Sequence, residues 1–168
     1  MNDAKTTIER RLANARSSGR LDGLTIEYWK GGGLPPPYHV SQQLRVMSAG
    51  GNDAVVFDNE TWDAKYTPQN VHERWTAVAR PEDVRSVAAM ILDGDLLGKR
   101  FAEEDDPGIA DILSHEIILA ADGVEVKKTY FRSLPAQMQP LKQFFDDLIQ
   151  RTKAQAEKIL YHQGRRIN

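Results

Sequence analysis

Histidines, carboxylates, serines and glycines are the residues of this chain best placed to do chemistry, and their spacing gives little support to catalysis. The four histidines, His39, His72, His115 and His162, are scattered, and none has a second histidine four residues on. A helical metal pair is therefore absent. His115-Glu116 starts like a helical zinc-protease motif, but no second histidine follows. The segment also alternates like a strand, where neighbours point to opposite faces. Each histidine is expected at the surface or half buried. Glu103-Glu104-Asp105-Asp106 lacks the ligand spacing and central glycine of a calcium loop and reads as a solvated turn. Asp93 and Asp95 flank Gly94, and two carboxylates do not make a metal site. Ser48 and Ser114 lie in or beside expected strands with no base beside them, and no Gly-x-Ser-x-Gly elbow occurs. The chain has no cysteine, which excludes thiolate nucleophiles and Cys-based metal sites. No catalytic, cofactor-binding or metal-binding residue is assigned, and no cofactor is expected.

One segment is unusual. Gly31-Gly32-Gly33 runs into Leu34-Pro35-Pro36-Pro37. A phosphate cradle needs successive backbone N–H groups at a helix N-terminus, whereas three prolines have none to offer. Two readings remain open: a sharply bent, stiff connector, or a rigid probe that loses little entropy when a partner grips it. Trp29, Tyr38, Trp62, Tyr66 and Trp75 cluster in the same half of the chain, and Trp and Tyr serve both interface hot spots and small cores. The candidate protein-interaction residues are Trp29, Gly32, Gly33, Leu34, Pro35, Pro36 and Pro37.

The elements that must position these residues follow from punctuation and period. Thr6–Ala15 reads as a short helix, with Thr6 and Glu9 at capping-box spacing and Ile8, Leu12 and Ala15 as a thin stripe. Leu24, Ile26 and Tyr28 alternate with Thr25, Glu27 and Trp29, a strand that puts Trp29 on the face opposite Tyr28. Val40–Ser48 and Ala54–Phe57 form a hairpin across Gly50-Gly51. Residues 59–73 read as irregular, and Trp75–Ala79 as a further strand. Pro81 opens a helix whose Val84, Val87, Ala88, Ile91 and Leu92 share a face. Asp122-Gly123 marks a two-residue hairpin turn. Its register places Ala121 opposite Val124, Leu119 opposite Val126 and His115 opposite Tyr130. Pro140 opens a long helix buried through Leu141, Phe144, Phe145, Leu148 and Ile149. That helix is expected to run on towards Gly164, with Ile159 and Leu160 packing on Ile8 and Leu12.

Charge adds two exclusions. The net charge is −2, from 22 basic and 24 acidic residues. Residues 1–20 carry +3 and residues 150–168 carry +4, leaving −9 on the body between them. The basic residues are spread over helical turns, and the acidic body would repel phosphate, so no nucleic acid is expected as a partner. The first twenty residues are charged throughout, and no apolar run approaches the roughly 20 residues needed to span a bilayer. Neither an export signal nor membrane association is expected. With the absence of cysteine, a cytoplasmic location is expected.

The order of signals resembles the emfourin-like proteins, small bacterial α+β domains. The resemblance rests on Ile26-Glu27-Tyr28-Trp29-Lys30-Gly31-Gly32-Gly33, Pro81-Glu82-Asp83-Val84, the Asp122-Gly123 hairpin, and Leu134-Pro135 leading into Pro140-Leu141. It covers roughly residues 24–149 and concerns plan more than motif. The triple proline, the 59–73 connection and both helical ends depart from it. The founding member inhibits thermolysin-like metalloproteases, so the resemblance implies a protein partner of that class, with no inhibitory residue mapped onto this chain.

The expected fold is α+β: an antiparallel sheet of about five to six strands with two main helices on one face and a short N-terminal helix. The expected organisation is a helical extension over 1–20, a domain over 21–149, and an extension of the last helix over 150–168. The expected function is a non-enzymatic protein-binding domain presenting the 31–37 loop, with an emfourin-like protease inhibitor as a special case. The competitors are a small enzyme or ligand-binding domain with a site between sheet and helices, and a homodimer built through the terminal helices.

Overall fold

The computed structural model describes residues 2–33, 39–61, 71–98, 108 and 112–168. In chain order the elements are α1 (Asn2–Ser18), β1 (Thr25–Gly32), β2 (Val40–Ala49), β3 (Asn52–Thr61), β4 (Val71–Val78), α2 (Pro81–Asp93), β5 (Leu113–Ala121), β6 (Val124–Phe131), a 3-10 turn (Ala136–Met138), α3 (Gln139–Gln155), β7 (Ile159–His162) and β8 (Arg165–Arg166). The strands form one antiparallel sheet in the order β6-β5-β1-β2-β3-β4-β7-β8.

That order dictates where the helices go. The chain must travel from β4, near one end of the sheet, back to β5, near the other, and α2 lies on that connection. It must then return from β6 to β7, and α3 makes that journey. The core contains the inward residues of the strands, Ile26, Tyr28, Leu44, Val46, Val55, Phe57, Trp75, Ile117 and Leu119, together with those of α1, α2 and α3. Register places these strand residues on one face of the sheet. All three helices therefore share that face, and no described helix lies on the other, called the open face below.

The architecture is α+β, as composition and patterning suggest, but the element count requires correction. The sheet has eight strands among the described residues, rather than five or six, and three helices pack on it. The N-terminal helix is not short. It spans 17 residues, so Thr6 lies inside it and does not cap it. Ile8, Leu12 and Ala15 are each fully buried, beside α2 and the β5–β6 end of the sheet. They do not meet Ile159 and Leu160. The last helix stops at Gln155, and residues 159–166 form a hairpin that adds β7 and β8 beyond β4. The turn explains the misreading. Gln163 and Gly164 both take positive φ, 50° and 72°, as do Asp122 and Gly123 at 52° and 79°. That is the geometry of a two-residue hairpin turn, and Gln-Gly signals it far less clearly than Asp-Gly.

The Asp122-Gly123 hairpin has the register expected from its turn: Ala121 pairs with Val124, Leu119 with Val126 and His115 with Tyr130. The strand over 75–79 is longer than expected and starts at Val71, while β3 runs on to Thr61. Only 62–70 of the 59–73 segment lies outside the described residues. The acidic run 103–106 also lies outside them.

Ion pairs tie the helices to one another and to the sheet. Arg151 of α3 grips Asp83 of α2 with two hydrogen bonds of 2.9 and 3.0 Å, a geometry that fixes orientation as well as distance. Arg11 of α1 donates through Nε to Asp122 at 2.8 Å, pinning the β5–β6 turn.

The one histidine in the core gives a pH prediction. His115 is 2% exposed. Its Nε2 lies 3.3 Å from the Arg132 carbonyl and its Nδ1 lies 2.8 Å from the Tyr28 hydroxyl. A carbonyl only accepts, so Nε2 carries the proton and Nδ1 accepts from Tyr28. Burial raises the Tyr28 phenol well above its ordinary pKa, which keeps it a donor. Tyr28 in turn stacks on Phe145, with ring centroids 5.0 Å apart. Burial lowers the His115 pKa, and Lys30 and Lys142 push the same way; the Arg132 carbonyl and Asp146 oppose them. Below about pH 6.5 the unfolded chain binds this proton more readily than the folded one. Stability is thus intact above that pH and declines as pH falls towards the folded value. The expected slope from this group is at most about 1.4 kcal/mol per pH unit. Urea midpoints between pH 7 and 5 for wild type and His115→Gln check this, and equal slopes in the two proteins would refute it.

Candidate functional site

The open face of the sheet is built by alternation. On β1 it carries Thr25, Glu27 and Trp29; on β2 Ser41, Gln43, Arg45 and Met47; on β3 Ala54, Val56, Asp58 and Glu60; on β4 His72, Arg74 and Thr76. One transverse row reads Thr129, Glu116, Trp29, Gln43, Asp58, Arg74 and Ile159. Strands lie about 4.8 Å apart, so Trp29 stands roughly 10 Å from Asp58 along this row.

Asp58 is the centre of the face. Only 4% of its side chain is exposed, although among the described residues no helix packs on this side of the sheet. The covering is supplied by long neighbours. Arg74 donates Nε to Oδ1 at 2.6 Å and Nη2 to Oδ2 at 3.3 Å. Arg45 donates Nη2 to Oδ2 at 2.6 Å. His72 Nε2 lies 3.0 Å from Oδ1. A buried carboxylate with this many donors stays ionised. Burial alone would raise its pKa, but the hydrogen bonds from Arg74, His72 and Arg45 outweigh it and the net shift is downward. Arg45 stands opposite Val56 in register, where an arginine's apolar stem covers a residue that is buried on this face. Arg74 is held from its other side by Tyr161 of β7, whose ring centroid is 5.6 Å from the guanidinium carbon.

Trp29 occupies the open face, as its strand position suggests. Its indole lies over Gly31, two residues on: a Cβ at position 31 would fall 2.0 Å from the ring. Glycine at this position is what lets the indole lie flat along the strand. Gly32 and Gly33 follow with φ of 97° and 86°, a conformation that side chains rarely adopt. Gly32 also approaches the Ile112 carbonyl so closely that a Cβ would meet it at 2.4 Å. The structure thus brings Trp29, Gly32 and Gly33 to one end of β1. Leu34, Pro35, Pro36 and Pro37 lie outside the described residues.

The histidines part company. His115 is in the core, His72 is half exposed beside Asp58, and His39 and His162 are elsewhere. Among the described residues no group of three or more histidines and carboxylates is placed to hold a metal. A cleft of about 290 Å³ opens between the end of α2 and the start of α3. Met90, Leu96, Met138 and Leu141 line it, Asp93 sits at its rim, and no histidine reaches it.

Sequence reasoning missed Arg45, Asp58, His72 and Arg74 as a group. Arg45 was legible as an outward residue of β2, but the cluster needs three strands in register and an outward carboxylate just after Phe57. No local signal carries that. Neither a protein-family model nor a protein of curated function matches this chain.

Proposed function

We propose that this protein is a non-enzymatic binding domain that receives a protein partner on the open face of its sheet, around Trp29 and the start of the Gly/Pro loop. The observation that carries this reading is the Trp29 indole laid over Gly31 on a face that no described helix covers. Trp and Arg are the residue types that dominate interface energetics, and here they sit in one transverse row. Three consecutive prolines follow Gly33-Leu34 in the sequence, and a proline's fixed φ lowers the entropy lost when a partner binds. The apolar cleft at the other side of the molecule lacks the convergent histidines and carboxylates that an enzyme reading would need.

Gly31→Ala supplies a clean test. The Cβ would strike the far end of the Trp29 side chain, not backbone, so the indole swings away while the strand survives. Capture of partners from lysate of the native organism should fall for Gly31→Ala and for Trp29→Ala, with both variants melting within about 1 kcal/mol of wild type. A thermolysin-like metalloprotease, the partner class implied by the emfourin-like resemblance, is the first to assay for inhibition. Identical capture by wild type, both variants and a protein with a neutral linker over 31–37 would sink the reading.

A further inference from the structure

Two guanidinium groups converge on one carboxylate at the centre of the open face, and that stoichiometry leaves charge over. Arg45 and Arg74 together carry +2 and Asp58 carries −1. These three side chains therefore sum to a single positive charge. Among the described residues neither arginine pairs with a second carboxylate. Arg45 commits one nitrogen to Asp58, and Arg74 commits two. The Nη1 groups of both have no hydrogen-bond partner among the described residues, and the two side chains are 25% and 37% exposed. Both are held in place: Arg74 between Asp58 and Tyr161, Arg45 by its 2.6 Å bond to Asp58. Little side-chain entropy remains to be lost when a further acceptor arrives.

The surroundings select the acceptor. Glu27 stands opposite Arg45 in register, occupied by Gln43 Nε2 at 2.6 Å. Glu60 stands opposite His72. With Asp58 beneath and these two carboxylates at the border, a dianion would meet stronger repulsion than a single negative charge. Planar guanidinium groups suit a planar carboxylate. We propose that Arg45 and Arg74 form the seat for one Asp or Glu side chain of the partner protein. This rests on the docking reading above and specifies its chemistry: a partner that covers Trp29 presents a carboxylate roughly 10 Å away along the same row.

The seat can be tested without the partner. Sodium acetate is titrated against sodium chloride at matched ionic strength, and the Nε–Hε signals of Arg45 and Arg74 are followed by NMR. Arg11, already bound to Asp122 on another part of the surface, serves as the internal reference. The expected result is a saturable shift at Arg45 and Arg74 in acetate alone, half-complete at on the order of 10–100 mM, with Arg11 unmoved. Equal shifts in acetate and chloride, or equal shifts at Arg11, would overturn the seat. Inorganic phosphate binding more tightly than acetate would overturn its assignment to a carboxylate. The two readings also fail separately. A flat acetate titration in a protein whose partner capture still depends on Trp29 removes the seat and keeps the docking face. Saturable acetate binding without Trp29-dependent capture does the reverse.

Discussion

Replacing Asp58 with alanine is expected to destabilise the protein by about 3–5 kcal/mol. The carboxylate is the shared acceptor of four donor contacts from three side chains. Without it, two guanidinium groups lose their shared counter-charge, and among the described residues no other carboxylate lies within ion-pair distance of either. The cost should arise from the uncompensated charges and not from lost packing, because Asp58→Ala removes little volume. A second protein separates the two causes. Substituting Arg45 and Arg74 with methionine and Asp58 with leucine removes every charge and keeps apolar cover over Val56. Such replacements of buried ion clusters are commonly neutral or stabilising. The triple variant should therefore recover most of the loss, as read from urea midpoints at pH 7. A single-variant cost below about 1 kcal/mol would mean that the cluster behaves as an ordinary surface ion pair. The sign of the pH effect is fixed by the lowered pKa. The stabilisation is fully present above the unfolded carboxyl value of about 3.9 and disappears as pH falls through the folded value below it. The His115 effect sets in at a higher pH, below about 6.5, so the two effects begin at different points of a titration.

Deleting α1 is the second change with a large expected effect: the remaining chain should show no cooperative melting transition. Ile8 and Leu12 have no exposed surface, and burial of two such side chains is worth roughly 3–6 kcal/mol. The truncation also uncovers the faces of α2 and of β5–β6 against which α1 lies. The sum is comparable to the whole stability of a domain, about 5–15 kcal/mol. Leu12→Ala is the milder probe, expected to cost about 2–5 kcal/mol. Thermal melts monitored by circular dichroism check both. A truncated protein that melts within a few degrees of the full chain would show that the helix is a dispensable appendage.

These two predictions also mark what could be read from the sequence. The α2 stripe and the Asp122-Gly123 hairpin were legible because each is decided within a dozen residues by a strong local rule. The outward position of Trp29 followed from simple alternation. α1 was legible as a helix but not as a structural layer: its stripe of Ile8, Leu12 and Ala15 is thin, and only the packed structure reveals that all three are buried. β7 and β8 were misread because four residues of strand and a Gln-Gly turn carry too little periodicity to be distinguished from the end of a helix. Strand order was beyond reach for another reason. The pairing of β1 with β5 and of β4 with β7 joins segments far apart in the chain, and nothing local encodes it. The Asp58 cluster lies on the consecutive strands β2, β3 and β4, but the β3–β4 pairing runs through residues 59–61 and 71–73, within a segment whose polar sequence reads as irregular. The 34–37 part of the Gly/Pro loop falls outside the described residues, which leaves Trp29, Gly32 and Gly33 as the candidate interaction residues with a defined setting.

The position of β7 has a consequence for how the molecule is made. Its pairing with β4 spans at least 85 residues, the separation between Arg74 and Ile159. At translation rates of about 5–20 residues per second, the outer edge of β4 waits roughly 4–17 s for its cover to be synthesised. During that interval a nascent chain offers an unpaired strand edge, with its N–H and C=O groups exposed, to any neighbour on the same polysome. Yield on overexpression should therefore depend on the speed at which the last strands arrive. Synonymous codons that slow translation between 80 and 158 would lengthen the exposed interval and favour aggregates joined through β4, although the finished protein is identical.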